Sequence, residues 1–162
     1  MAQNIHVWVR GTTQGELLGD STVTSMDREG SIEAFKLEHM VKTHREASGM
    51  ATGERSYDPV TITKRIDRSS PLLHQALCNN EEVEVTIKFY RPNPSGDGST
   101  EHFYTTRLGQ GRISSIRTIS PNTVDESTAS LPAMEEVSFV FGRITWIYES
   151  GGIEFEDEWR VA

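Results

Sequence analysis

Val83-Glu-Val-Thr-Ile-Lys-Phe-Tyr90 is the stretch that decides the fold. Val83, Val85, Ile87 and Phe89 alternate with Glu84, Thr86, Lys88 and Tyr90, a period of two that a helix cannot present as one apolar face. The alternation recurs along the chain. Ile5, Val7 and Val9 alternate with His6, Trp8 and Arg10, and Val60 and Ile62 repeat the pattern within Thr61-Ile-Thr-Lys64. Between Ile32 and Val41, Phe35, Leu37 and Val41 fall on one face, with Lys36 and Glu38 on the other. Val137, Phe139 and Phe141 share a face, and so do Ile144, Trp146 and Tyr148. The two triplets are out of phase across Gly142, so a bulge at Gly142 or Arg143 would turn both to the core. Ile113, Ile116 and Ile119 are spaced by three, yet Gly111, Ser114, Ser115 and Thr118 around them are poor helix formers. A strand is expected there too.

One helix interrupts the strands, over about 70–79. Ser70 can cap it, Pro71 suits its first turn, Leu72, Leu73, Ala76 and Leu77 form its apolar stripe, and Asn79-Asn80 can stop it. Pro92-Asn-Pro-Ser-Gly-Asp-Gly98 and Ser120-Pro-Asn-Thr123 read as turns, and Glu149-Ser-Gly-Gly152 as a late hairpin. The segment 42–56 shows neither period and is expected as a long extended loop, a kind of segment that in a small domain is usually functional or mobile. The whole, 1–162, reads as a single domain.

Composition narrows the function classes. The chain has 162 residues and a mass of 18.2 kDa. Its apolar fraction of 35% suits a thin core that gains burial from another chain. Twenty-four acidic and sixteen basic residues give a net charge of −8, which argues against binding a nucleic-acid backbone. No apolar run approaches a membrane span, so no membrane insertion is expected. Met1-Ala-Gln-Asn-Ile-His6 lacks the basic and apolar regions of a signal peptide. The one cysteine, Cys78, cannot form an internal disulfide, which suits folding in the cytoplasm. Beside Leu77 it reads as a small buried apolar residue.

Candidate chemistry is sparse. His6, His39, His44, His74 and His102 lack metal-site spacing, and His39-Met-Val-Lys-Thr-His44 lacks the glutamate of a zinc-protease helix. His39, on the face of Phe35 and Leu37, reads as a satisfied core histidine. The acids of Glu154-Phe-Glu-Asp-Glu158 read as a solvated strand face. Gly96-Asp-Gly98 and Gly109-Gln-Gly111 are too short for phosphate loops. No catalytic, cofactor or metal residue is assigned. A carbohydrate-binding or hydrolytic β-barrel using Trp8, Trp159 and an acidic pair is the alternative from another class.

Several stretches together carry a resemblance. They are Asp27-Arg-Glu-Gly-Ser-Ile-Glu33 with Glu38-His39, then Thr61-Ile-Thr-Lys-Arg-Ile-Asp67 running into Ser69-Ser-Pro-Leu72 and Ala76. Glu136-Val-Ser-Phe139, Ile144-Thr-Trp-Ile-Tyr148, Gly151-Gly152 and Asp157-Glu-Trp159 follow. In this order, from about Ile5 to Trp159, the chain resembles the Hcp family, the haemolysin-coregulated tube proteins of bacterial type VI secretion. The resemblance implies a mainly β fold, a small β-barrel of two sheets with one α-helix and a long extended loop. It also implies a non-enzymatic subunit of hexameric rings that stack into an inner tube. The partners it implies are further copies, the sheath, a trimeric spike and effectors carried in the lumen. It implies assembly in the cytoplasm and export without a signal peptide, and a chain ending at Ala162 would carry no fused toxin domain.

Two sets of residues follow as expectations. Segment 42–56 is expected to cross to a neighbouring subunit or ring, with Arg45, Met50, Ala51 and Arg55 as the contacts. In the family, the strand matching Ile32 to Val41 reaches the channel. Alternation turns Phe35 and Leu37 inward, so Lys36 and Glu38 are the candidates to face the lumen.

Overall fold

The computed structural model describes residues 3–159; the ends of the single domain expected over 1–162 lie outside the described residues. Eleven strands and one helix follow in order: β1 (Ile5–Gly11), β2 (Gly15–Leu17), β3 (Ile32–Glu38), β4 (Val41–Arg45), β5 (Ala51–Tyr57), β6 (Val60–Arg65), α1 (Ser70–Cys78), β7 (Val83–Pro92), β8 (Thr100–Ile119), β9 (Met134–Val140), β10 (Arg143–Tyr148) and β11 (Ile153–Glu158). A 3-10 turn at Ser25–Asp27 joins β2 to β3.

The mainly β fold with one helix stands, but the small β-barrel of two sheets does not. The main strands form one nine-stranded sheet in the order β11-β10-β8-β7-β1-β3-β6-β9, with β2 added to β1. The sheet as a whole is not closed as a barrel, because its path ends on β11, which among the described residues is paired only to β10. The second sheet has two strands, β4 and β5. One long strand bends this sheet. β8 runs for 20 residues and bends at Gly109-Gln110-Gly111, pairing its first part with β7 and β10 and its second with β9. Gln110 takes a φ of 52°, and a Cβ at Gly111 would lie 2.8 Å from the Val83 carbonyl oxygen, so close approach requires glycine there.

The alternating residues build the core as the period requires. Val7, Val9, Ile32, Ala34, Val60, Ile62, Val83, Val85, Ile87, Val137, Phe139, Phe141 and Ile144 are all buried in one cluster. Each large aliphatic or aromatic side chain among them contributes about 1.5–3 kcal/mol by leaving water. α1 lays Leu73 and Ala76 into this cluster. Ser69 is its N-cap; Ser70 is already helical, and its hydroxyl accepts from the Asp67 amide and reaches the Glu135 carboxylate at 2.7 Å. Asn80, with φ 50°, ends the helix as its Asn-Asn stop suggested. Cys78 is exposed rather than buried, because it falls outside the Leu73–Ala76 face.

Bulges account for the departures from strict alternation. In β3 the register against β6 shifts between Ala34 and Lys36, so Phe35 is the extra residue. Phe35 is therefore exposed, with the Arg65 guanidinium 4.9 Å from its ring centre, instead of sharing the core with Leu37. In β7 a shift between Phe89 and Tyr90 leaves Phe89 half-buried and buries Tyr90. In β8 a shift between Ile113 and Ser115 sets Ile113 opposite Phe139 and Ile116 opposite Val137, which turns a spacing of two into three. The triplet Ile144, Trp146, Tyr148 turns inward only at its start, since Trp146 is half-buried and Tyr148 exposed.

Candidate functional site

The segment 42–56 is not a structureless loop but most of a β-hairpin. β4 and β5 pair antiparallel from Val41↔Tyr57 to Arg45↔Ala51, with a bulge between Thr43 and Arg45. Glu46 donates its amide to Met50 O at 2.8 Å, and Gly49 supplies the φ of 89° that the tip needs. The two strands carry mostly Thr, His, Ser, Glu, Lys and Arg, and Val41 and Ala51 among them are exposed, so neither face has an apolar row to bury and neither period was legible. Every residue from Val41 to Arg55 is exposed.

Among the described residues, only the base of the hairpin is fastened to the rest of its own chain. Arg55 grips Asp157 of β11 with two bonds, Nε to Oδ2 at 2.6 Å and Nη2 to Oδ1 at 2.8 Å, and the Tyr57 hydroxyl donates to the same carboxylate. The Arg55 bond, then that of Tyr57, holds the Asp157 carboxyl below its ordinary range. The Tyr57 ring stacks on Trp146 at 6.4 Å, leans on Trp159 at 5.4 Å and meets the Phe141 edge at 5.5 Å. Trp159 is pinned by Nε1 donating to Phe141 O at 2.6 Å. His39 stacks on Tyr57 and is half-buried rather than a satisfied core residue. Its Nε2 is buried without a hydrogen bond, as is Ser56 Oγ, and burial pushes its pKa down.

The structure separates the expected contact residues. Met50 is 66% exposed at the tip, beside exposed Ala51. Arg45 lies near them, with Nη1 donating to Gly49 O at 3.0 Å. Arg55 is at the other end, its guanidinium engaged by Asp157. Lys36 and Glu38 lie on β3, exposed and ion-paired to each other at 2.9 Å. An open groove of about 730 Å³ between them and the hairpin base is lined by Leu37, Glu38, His39, Met40, Asp58, Pro59 and Thr61.

The binding strip of the alternative reading is not assembled. Trp8 is half-buried under the Lys88 ammonium at 4.6 Å, on the face that runs through Thr86, Arg107 and Thr145 to Glu156. Trp159 packs on Tyr57 on the opposite face, four strands away. Among the described residues, no group of three or more His, Cys, Asp or Glu side chains could hold a metal ion. His6 is buried, its Nδ1 2.8 Å from Ser31 Oγ, and His102 bonds Thr105 at 2.7 Å; both are held by structural partners.

Sequence reasoning missed two features. The clamp from Arg55 to Asp157 spans 102 positions and left no local signal. The apolar side of β11, Ile153 at 69% and Phe155 at 63% exposure, was legible as alternation but was read only for its acids.

A β-rich chain whose polar residues fasten strands together, and whose hairpin stands clear of its own surface, has the make-up of an assembling structural subunit. Residues 8–148 match the family described as "Type VI secretion system effector, Hcp". The chain is 34% identical to the "Major exported protein" of Pseudomonas aeruginosa over 170 residues, covering 99% of this chain and 97% of that protein. Among solved structures it is similar to an Hcp protein at TM-score 0.86 and 29% identity, covering 98% of this chain and 99% of the other. It is also similar to Hcp1 of E. coli EAEC 042 at TM-score 0.82 and 26% identity, covering 97% and 99%. The secreted protein Hcp3 of Pseudomonas aeruginosa matches at TM-score 0.75 and 25% identity, covering 99% and 100%. The chain belongs to the Hcp family, and it is a structural, non-enzymatic subunit of the type VI secretion tube.

Proposed function

We propose that this subunit forms homo-hexameric rings that stack into the inner tube, with the β4–β5 hairpin crossing to a neighbouring subunit or ring. The observation that carries this is the exposure of the hairpin from Val41 to Arg55. A lone two-stranded hairpin is at best marginally stable, so one held only at its base gains from a partner. Met50 and Ala51 supply the apolar contact at its tip and Arg45 a charge, while Arg55 sets the angle of the arm through Asp157. Lys36 and Glu38 face the lumen. Six-fold symmetry repeats each of them around the channel, where weak contacts with an effector add by multiplicity.

In this reading the rings assemble in the cytoplasm, are enclosed by sheath proteins, meet a trimeric spike at the tip and leave by type VI secretion with their cargo. The descriptions "exported" and "secreted" carried by two relatives support the export. Nucleic acid is no partner, and the tube does not insert into a membrane. Mass measurement in dilute solution tests the core of the reading. A six-fold particle is expected, and a monomer across the micromolar range near neutral pH overturns it. Deleting Ala47–Gly53 weakens ring formation or stacking while the main sheet stays folded.

A further inference from the structure

We propose that His6 is a proton-operated latch on the loop 19–31, which is held against β1 and β7 and lets go when His6 takes up a second proton. The latch lies within one chain and is independent of the assembly proposed above. Backbone bonds close the neck of the loop: Gly19 donates to Gly30 O at 2.8 Å, Gly30 to Ser21 O at 3.0 Å and Ser21 to Ser31 O at 3.1 Å. Beyond the neck, Arg28 is the one buried residue of 22–30, at 7% exposure. Its guanidinium folds back to Ser25 O through Nε at 3.0 Å and to Ser25 Oγ through Nη2 at 2.5 Å, and it lies 4.5 Å from the centre of the Tyr90 ring on β7. Among the described residues no carboxylate pairs with it, so a cation on an aromatic face holds the tip. Met26 and Asp27 beside it sit at φ 58° and 57°, the left-handed region that residues with a Cβ occupy at a cost. The loop is closed but strained.

Hydrogen-bond bookkeeping places the trigger. Ser31 Oγ donates to Arg28 O at 2.7 Å and lies 2.8 Å from His6 Nδ1. A hydroxyl has one hydrogen, and that of Ser31 goes to Arg28, so His6 donates from Nδ1 and its bare Nε2 is where the next proton is added. His6 is 2% exposed and meets Tyr90 edge-on at 5.5 Å, so His6 and Arg28 bear on the same ring. A protonated His6 therefore sets a second cation beside Arg28 in a buried cluster. Glu33, opposite His6 on β3, favours that proton, but its carboxylate is engaged by Asn4 Nδ2 at 2.6 Å. Lys88, opposite His6 on β7, adds like charge, and His102 of β8 is a further neighbour of Tyr90 at 5.2 Å. Burial, opposed by Glu33 and helped by Arg28, holds His6 below the ordinary histidine range. The latch is thus whole above about pH 6.5 and fails as pH falls toward the folded value. β1 is paired on both sides, to β3 and β7, whereas the loop tip hangs on Arg28 alone, so the loop is what gives way. Its release also lets Met26 and Asp27 relax.

Amide hydrogen exchange of the full chain, read by mass spectrometry at pH 7.5 and pH 5.0 and corrected for the intrinsic exchange rate at each pH, tests the latch. Peptides within 19–31 are expected to lose protection by about fivefold at the lower pH, while those of β1 and β3 keep theirs. His6→Gln can still donate to Ser31 but takes up no proton, so it should remove most of that rise, whereas His102→Gln should keep it. Arg28→Met should leave the loop unprotected at both pH values. Equal protection of the wild-type loop at the two pH values overturns the proposal. So does a rise that survives in His6→Gln, or one that His102→Gln abolishes. If His6→Gln does not fold, a titration of the wild-type His6 ring by NMR decides instead: its midpoint must coincide with that of loop opening, and opening that tracks another group overturns the latch.

Discussion

Replacing Lys64 with methionine should destabilise the subunit by about 3–5 kcal/mol, the usual cost of removing one partner from a buried ion pair. Lys64 is fully buried, at 0% exposure. Its ammonium meets Glu135 Oε1 at 2.5 Å, Arg65 O at 2.9 Å, Asp67 Oδ1 at 3.1 Å and Ser70 Oγ at 3.2 Å. The network ties β6 to β9 and to the start of α1. Methionine fills a similar volume, so the loss is not a cavity. It comes from the Glu135 carboxylate, 1% exposed, which keeps only the Ser70 hydroxyl at 2.7 Å. Against a total stability of about 5–15 kcal/mol this is a large share. For a chain of this size it lowers Tm by roughly 6–20 °C, at about 2–4 °C per kcal/mol. Urea and thermal unfolding followed by circular dichroism, at one fixed protein concentration so that assembly does not shift the baseline, provide the assay. The cycle closes with Lys64→Met combined with Glu135→Met. That pair removes both charges from the interior and should recover most of the stability. A single variant costing less than about 1 kcal/mol, or a double variant as unstable as the sum of the two singles, would refute the reasoning.

Acidification should destabilise the fold through its histidines. Burial is the leading cause that holds the pKa values of His6, His39 and His102 below 6.5, so the unfolded chain binds protons that the folded chain refuses. Their contribution is complete above about pH 6.5 and is lost as pH falls toward the folded values. Urea midpoints at pH 7.5 and 5.5 should differ, and less so in His6→Gln; equal midpoints in the wild type would contradict this. Arg55→Ala should free the hairpin base from β11 with little change in Tm. Trypsin cleavage after Lys42 or Arg45 should then quicken several-fold, and an unchanged rate would show that the clamp does not restrain the arm. Glu38→Trp should leave the rings intact yet reduce effector co-purification and export. If both persist, and Glu38→Cys is labelled in rings only from the outside, position 38 does not face the lumen.

Much of the fold was legible because its signals are local. In β7, Val83 to Ile87 alternate, and all three apolar members are buried, since a pleated strand sends successive side chains to opposite faces whatever its neighbours are. α1 was legible from Pro71, its Leu and Ala spacing and the Asn-Asn stop, all within one segment. Even Lys64 had a signal, because parity sets it on the face of Val60 and Ile62. What makes it tolerable there is Glu135, 71 positions away, which no local pattern could supply.

The candidate site was legible only in part. Lys36 and Glu38 are exposed, as alternation required, but Phe35 beside them is exposed as well. Its place depends on how β3 counts against β6, and a bulge is a property of the pair of strands, not of one. The hairpin was seen as a special segment but not as strands, because a period appears only where one face is buried, and neither of its faces is. Its fastening by Arg55 to Asp157 is likewise a meeting of distant positions.

By itself, then, the sequence determined the strand-rich class, the helix, the thin acidic make-up and the family, all of which rest on periods, caps and ordered motifs within short windows. Only the tertiary structure decided that one bent sheet replaces a barrel of two sheets, that Phe35 and Cys78 face out, and that β11 and β4 are left with open edges. Those outcomes follow from which strands meet and in what register. Such pairing is fixed by the cooperative burial of the whole core rather than by any stretch of chain alone.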